Sequence, residues 1–325
     1  MNRPVPIILD CDPGHDDAIA IVMAHCSPVI DIRGITTTCG NATLARTTEN
    51  ARRILELIGA SDIPVAAGME LPLARGLVLG TADGPSGLDG TPYLPDATMP
   101  LDPRHAVDFI ADLLRAASEP LTLVATGPLS NIGMFLLKYP ELRDRIARIV
   151  LMGGAMYRRT EHITPTEFNI FCDPEAAAIV LQSGLDITMV GLDVTMQVLI
   201  EEPEFARLGA IDTPFSRIVN DWLRHYEKLH RNHMGVGGAM HDPLALAVVI
   251  DPTLISTRDA HVKIDLTATH VFGATVASYW NEGGVQPNVH VASTVDADRF
   301  FDLMFGLLAR VQPDAATTRP ERHDP

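Results

Sequence analysis

The chain has 325 residues, 46% of them hydrophobic, with 41 acidic against 25 basic residues and a formal net charge of −16. That apolar content is enough for a sizeable core, and the negative field repels phosphate backbones and anionic lipid surfaces, so neither a nucleic-acid polymer nor a membrane is an expected partner. No linker-like stretch or shift in composition divides the chain, so one domain over residues 1–311 is expected, followed by a polar, proline-containing flexible tail over 312–325.

Short apolar runs rich in β-formers recur along the chain, several followed by a helical pattern. Ile7-Ile8-Leu9 is the first and precedes a helix-like stretch from Ala18 to Ala24. Ile32 to Thr36 is the second, with Thr47 to Ile58 as its helix, and Pro64 to Ala67 reads as a third strand. Residues 69–104 are rich in Gly, Pro and Asp, a long loop of the kind that serves a site more often than a core. Leu121 to Val124, Ile149 to Met152 and Ile187 to Val190 continue the strand series. Phe215 to His233 reads as a helix bearing aromatic residues and histidines, and His261 to Leu266, Ala274 to Ser278 and Asn288 to Ser293 as further strands, with antiparallel pairing expected. Strands alternating with helices predict an α/β class: a single Rossmann-like open domain, its mostly parallel sheet flanked by helices, with a few extra C-terminal strands.

Cys11, Cys26, Cys39 and Cys172 form no CxxC pair and sit beside apolar residues, which predicts buried thiols in a reducing compartment. The N-terminus carries no signal-peptide core, and no apolar run is long enough to span a membrane, so a cytoplasmic protein is expected.

The most informative segment is Asp10-Cys11-Asp12-Pro13-Gly14-His15-Asp16-Asp17. Asp10 and Asp12 fall on one side of an extended chain, Pro13-Gly14 turns it, and Asp16 and Asp17 arrive where a helix N-terminus favours negative charge. Capping accounts for one or two carboxylates, not for four. No Lys or Arg lies between Arg3 and Arg33 to neutralise them. A bound hard cation is the simplest remedy, and oxygen ligation fits Ca²⁺ or Mg²⁺ rather than Zn²⁺. Ligands of open α/β sheets bind beyond the carboxyl ends of the strands, where this cluster, Asn41, Thr126-Gly127-Pro128 and Gly153-Gly154 are all expected.

At these residues the sequence resembles the inosine-uridine-preferring nucleoside hydrolase family. The run from Asp10 to Asp17 is similar to its DxDPGxDD signature, and further matches follow in order. They are Thr38 to Asn41, Ala125 to Asn131, Met152-Gly153-Gly154, Glu167 to Ile170 with Asp173 to Ala176, His241 to Ala245, and Pro287-Asn288-Val289. The resemblance implies a Ca²⁺-dependent N-glycosidase that hydrolyses ribonucleosides, in purine or pyrimidine salvage and nucleoside catabolism, as a homodimer or homotetramer. It implies that Asp12, Asp17 and Asp242 hold the metal with the carbonyl of Thr126, and that Asp10 supports them. Asp16, Asn41, Glu167 and Asn169 match residues that hold the ribose or complete the site. In such a scheme Asp12 is the general base for water, and His241, beside a metal ligand, assists the departing base.

Two departures from the family pattern bear on substrate choice. Asp83 stands where the first loop usually carries a histidine, and His162 occupies a usual asparagine position, near a one-residue deletion, among residues expected to meet the 5′ end of the ribose. Tyr226 and His230, spaced to share a helix face, are candidates for contact with the nucleobase, although an aromatic core stripe with a wet histidine face fits the same pattern. Two alternatives stand beside the hydrolase: an aspartyl-nucleophile phosphatase-like enzyme, which would leave Asp16 and Asp17 without a role, and a ribose- or nucleoside-binding protein without turnover.

Overall fold

In the computed structural model these runs assemble into a doubly wound sheet; the structure describes residues 3–80, 84, 86–90, 94, 96–156, 166–280 and 284–311. In chain order the first half comprises β1 (Val5–Cys11), α1 (His15–Cys26), β2 (Ile30–Thr37), α2 (Leu44–Leu57), β3 (Val65–Ala67), α3 (Ala106–Ala116), β4 (Leu121–Ala125), α4 (Ser130–Lys138) and β5 (Ile146–Met152). The second half comprises α5 (Phe168–Cys172), α6 (Pro174–Leu181), β6 (Ile187–Val190), α7 (Leu192–Thr195), β7 (Leu199–Ile200), α8 (Glu202–Gly209), α9 (Pro214–Met234), β8 (Gly238–Ala239), α10 (His241–Ile250), β9 (Ile255–Ile264), β10 (Thr275–Ser278), β11 (Val289–Val295) and α11 (Ala297–Leu308).

Among the described residues, nine strands form one sheet in the order β10-β9-β11-β6-β5-β4-β1-β2-β3, and β7 pairs separately with β8. All neighbours from β3 to β11 run parallel, whereas β9 is antiparallel to both β11 and β10. In β1, Ile7 and Leu9 enter the core built with α1, α2, α10 and α11, while Ile8 enters the opposite core, built with α3, α4 and α6. Such two-sided burial is what makes parallel strands read as continuous apolar runs. α1 packs on the sheet and on α10, and the whole of Ala18 to Ala24 is buried.

The order reverses between β1 and β4: β2 and β3 extend to one side, β5 and β6 to the other. Asp10 pairs with Ala125, and the Thr126 amide donates to the Asp10 carbonyl at 2.8 Å, so both strands end side by side at the switch point. Open sheets of this kind form their crevice there.

Several sequence expectations change. Antiparallel pairing is found where β9 meets β10 and β11, but β9 alone runs against the rest of the sheet, so β11 is also parallel to β6. β9 starts at Ile255, because its exposed first half, Ser256 to Asp259, is held by pairing with β11 and leaves no apolar alternation to read. The two-residue strands β7 and β8 are too short to carry a period. Cys26 is half-buried, while Cys11, Cys39 and Cys172 are buried, and all four are free thiols. The region from 69 to 104 contains no helix among its described residues, and the tail over 312–325 lies outside them.

Candidate active site

Four acidic residues of the first signature lie buried at the ends of β1 and the start of α1: Asp10, Asp12, Asp16 and Asp17. Gly14 caps α1, its amide donating to Asp17 Oδ2 at 3.1 Å, and Asp16 and Asp17 occupy the first turn. Backbone amides there carry partial positive charge, one local reason that acids are tolerated in the first turn.

Asp10 faces the inside of the sheet. Its Oδ1 accepts from the Thr36 hydroxyl at 2.6 Å and from Asn131 Nδ2 at 2.8 Å, while its buried Oδ2 has no hydrogen-bond partner among the described residues. Burial pushes its pKa up to about 7 against the lowering effect of those two donors. Asn131 also donates to the Thr37 carbonyl at 3.0 Å and accepts from the Met69 amide at 2.8 Å, joining α4, β2 and the long loop beneath the acids.

Asp12 lies where β1 leaves the sheet. Its Oδ2 accepts from the Asn41 amide at 2.7 Å, and Asn41 Nδ2 reaches the Asp12 carbonyl at 3.2 Å and Asp17 Oδ2 at 3.3 Å. Gly40 and Gly127 make room for the carboxylate: a Cβ on Gly127 would stand 2.6 Å from Asp12 Oδ1, and one on Gly40 would overlap Oδ2. Asp17 Oδ1 accepts from the Thr126 hydroxyl at 2.7 Å, which ties α1 to the end of β4.

The fourth element of the site comes from near the other end of the chain. α10 packs against α1, and its first turn brings Asp242 to the cluster, its amide donating to Asp16 Oδ2 at 3.3 Å. Carboxylate oxygens of Asp16, Asp17 and Asp242 all lie within 4.8 Å of one another, and all three residues are buried. Burial, followed by the charges of Asp16, Asp17 and Asp12, pushes the Asp242 carboxyl well above the usual carboxylate range. Buried oxygen donors so close to one another fit a hard divalent cation. Geometry groups Asp16 with Asp17 and Asp242, whereas the resemblance gives Asp12 as the third carboxylate; Asp12 is near enough for its charge to act on Asp242.

Asn169 Nδ2 donates to the Thr126 carbonyl at 2.7 Å and to the Met152 carbonyl at 3.3 Å, so α5 is brought against the ends of β4 and β5. Glu167 caps α5: its Oε1 accepts from the Asn169 amide at 2.8 Å and its Oε2 from the Ile170 and Gly154 amides at 3.1 and 3.0 Å. Both residues therefore have structural duties in addition to any contact with a ligand. His162 and Asp83 lie outside the described residues.

A wall of rings closes the other side. Tyr226 and His230 of α9 have ring centroids 5.1 Å apart, and His230 stands 5.6 Å from His241. His15 sits 6.0 Å from Tyr226 and stacks at 5.6 Å on His225. His230 is buried rather than wet, and the core stripe is carried by Phe215, Val219, Trp222 and Leu223. Tyr226 donates its hydroxyl to the Ala239 carbonyl in β8 at 2.8 Å, so that group serves the backbone beside His241. His241 keeps part of its surface open, yet burial of the ring, followed by the neighbouring His230, pushes its pKa down to about 3. It is a neutral imidazole at neutral pH. Its Nδ1 lies 2.8 Å from Thr195 Oγ1.

Reading the sequence missed three supporting residues. His15 and Asn131 lie inside quoted motifs, and their side-chain partners, the Asp89 carbonyl at 2.6 Å and Asp10, come from distant segments. Thr195 lies outside every motif, and its only sequence signal is a polar residue at the end of an apolar run.

Comparison with known proteins places this arrangement. The family described as inosine-uridine preferring nucleoside hydrolase matches residues 7–302. The pyrimidine-specific ribonucleoside hydrolase RihA of Escherichia coli O1:K1 / APEC is 43% identical over 304 residues, covering 92% of this chain and 97% of its own. Among solved structures, the purine-preferring ribonucleoside hydrolase from Gardnerella vaginalis superposes with a TM-score of 0.86 at 32% identity, covering 94% of this chain and 98% of its own. A plant nucleoside hydrolase gives a TM-score of 0.87 at 30% identity, with 94% and 99% covered.

Proposed function

We infer the reaction from one premise: this chain belongs to the inosine-uridine preferring nucleoside hydrolase family. It is an N-glycosidase that hydrolyses ribonucleosides to free base and ribose. The buried carboxylate cluster of Asp16, Asp17 and Asp242, whose chain neighbours His15 and His241 belong to a cluster of rings with Tyr226 and His230, is the observation that carries the finer reading.

In that reading Asp12, Asp17, Asp242 and the Thr126 carbonyl hold a calcium ion, with Asp10 supporting them. Those residues would hold the ion, whose chemistry there would be to acidify a water and to offer coordination to the ribose hydroxyls. Asp12 takes the proton from the attacking water, a role that suits a carboxylate whose direction is fixed by the Asn41 amide. Asp16, Asn41, Glu167 and Asn169 hold the sugar. Glu167 and Asn169 do so with the remaining lone pairs of their side-chain oxygens, since the Glu167 carboxylate and both Asn169 N–H groups already bond to backbone. Positive charge develops on the ribose as the N-glycosidic bond stretches, and the surrounding carboxylates stabilise it. Neutral His241 donates its N–H to the departing base, and His230 and Tyr226 pack around that base. His162 meets the 5′ side of the substrate. Pyrimidine ribonucleosides are the proposed first choice, supported by the identity with RihA. A homodimer or homotetramer working in nucleoside salvage in the cytoplasm completes the proposal; the four free thiols suit a reducing compartment.

Incubation with uridine, cytidine, inosine, adenosine and a phosphomonoester, with and without a calcium chelator, tests this reading. Release of free base and ribose that the chelator stops and calcium restores is the expected result. Phosphate release from the phosphomonoester alone would favour a phosphatase, and tight nucleoside binding with no base released would favour a binding protein.

A further inference from the structure

We propose that Thr195 is a positioning residue that fixes the angle of the His241 imidazole and, with its hydroxyl donating to Nδ1, leaves Nε2–H as the donor that faces the departing base. The inference rests on the leaving-group role proposed for His241. It starts from the 2.8 Å contact between Thr195 Oγ1 and His241 Nδ1, made by a hydroxyl that is fully buried.

Thr195 closes α7 and its backbone is bonded on both sides. Its amide donates to the Gly191 carbonyl at 3.1 Å, and its own carbonyl accepts from the Val198 amide at 3.1 Å. The backbone of His241 is fixed from the same segment: the Met240 amide donates to the Val198 carbonyl at 2.9 Å, and Leu199 and Ile200 pair with Ala239 and Gly238. Both ends of the contact are thus set by one short stretch, residues 191–200. A β-branched side chain adds a restricted χ1, so the oxygen has little freedom to leave the ring.

The chemistry of the partner decides what the contact does. A carbonyl or carboxylate facing Nδ1 accepts only, which forces the neutral ring to carry its proton on Nδ1 and leaves Nε2 as an acceptor. A hydroxyl both donates and accepts. By donating to Nδ1, Thr195 permits the neutral Nε2–H tautomer, the form able to hydrogen-bond the negative charge that develops on a leaving nitrogen. By rotating its O–H, it keeps the same contact in other protonation states of the ring. A buried threonine serving only to fill space would not require the oxygen at all.

The test uses the full-length, calcium-loaded protein and the variants Thr195→Val, Thr195→Ser, His241→Ala and Thr195→Val/His241→Ala. Each is assayed with uridine and with 4-nitrophenyl riboside, whose leaving group departs without a proton. Thr195→Val should lower kcat on uridine about 10- to 100-fold, the usual loss when the partner orienting a functional histidine is removed. Its KM on uridine, and its kcat on the aryl riboside, should stay within about threefold of wild type. Thr195→Ser should restore most of the lost turnover, and the double variant should be no slower than His241→Ala. Nitrogen-15 spectra of the labelled histidines, with His241 assigned from the alanine variant, should show the Nε2–H tautomer in wild type and a mixture in Thr195→Val. Equal losses on both substrates, additivity with His241→Ala, or an unchanged tautomer would each overturn the inference. A His241→Ala variant that loses both substrates equally would instead reject the leaving-group role, and the spectra would still judge the tautomer by themselves.

Discussion

The Thr126 hydroxyl donates to Asp17 Oδ1 at 2.7 Å, joining residues 109 positions apart in the chain. One comes from the last turn of backbone after β4 and the other from the first turn of α1, and they meet because the strand order reverses between β1 and β4. The chemistry proposed for this protein is concentrated around that contact.

Asp12→Asn should remove the group that takes the proton from water while leaving the shape of the site. We expect kcat to fall about 10²- to 10⁴-fold, the range for a general base, with nucleoside affinity by calorimetry little changed. A variant turning over at nearly the wild-type rate would reassign the base.

Gly40→Ala should act on the same carboxylate from outside. The added methyl overlaps Asp12 Oδ2 and stands 2.9 Å from the Pro128 ring, so the carboxylate must swing away. Misplacement of a reacting group by about 1 Å can cost about 10²-fold in rate. The expected signature is a kcat loss out of proportion to any change in Tm, read by kinetics and calorimetric melting together.

Calcium should stabilise the fold, since the cluster repels itself without a cation. At a free concentration of 100 times Kd the gain is about 2.7 kcal/mol, seen as a higher Tm than in chelator. Asp242→Asn removes one of the three mutually close carboxylates, so in chelator it should melt no lower than wild type, and adding calcium should move it much less. A wild-type Tm indifferent to calcium would count against the cation site.

Tyr226→Phe separates a structural hydroxyl from one that reads the base. Losing the 2.8 Å bond to the Ala239 carbonyl should cost about 1 kcal/mol and lower Tm by about 2 °C. Turnover on pyrimidine and purine ribosides should remain within about threefold. A selective loss on one base class would show that the hydroxyl also reaches substrate.

The fold was legible where burial on both sheet faces forces continuous apolar runs, as in Ile7 to Leu9 and Ile187 to Val190. It was illegible where pairing alone makes the element, as in Ser256 to Asp259 of β9 and the two-residue β7 and β8. The acidic cluster announced itself because Asp10, Asp12, Asp16 and Asp17 are neighbours in the chain without a cation among them. The approach of Asp242 depends on α10 packing against α1, which local pattern does not encode; only the resemblance pointed to it. Thr195 was hidden for the same reason, since its partner lies 46 positions away.

The two sides of the pocket rest on largely different supports. Asp10, Asp12, Asp16, Asp17 and Thr126 belong to β1, the start of α1 and the end of β4, whereas Tyr226 and His230 hang on α9; the start of α10 carries both His241 and Asp242 and joins the two. Substitutions confined to the exposed face of α9 therefore leave the acids of β1, α1 and β4 intact, and drift in that helix is a route by which such proteins exchange one nucleobase for another. Laboratory evolution confined to residues 214–240 would be the economical route to a new leaving-group range.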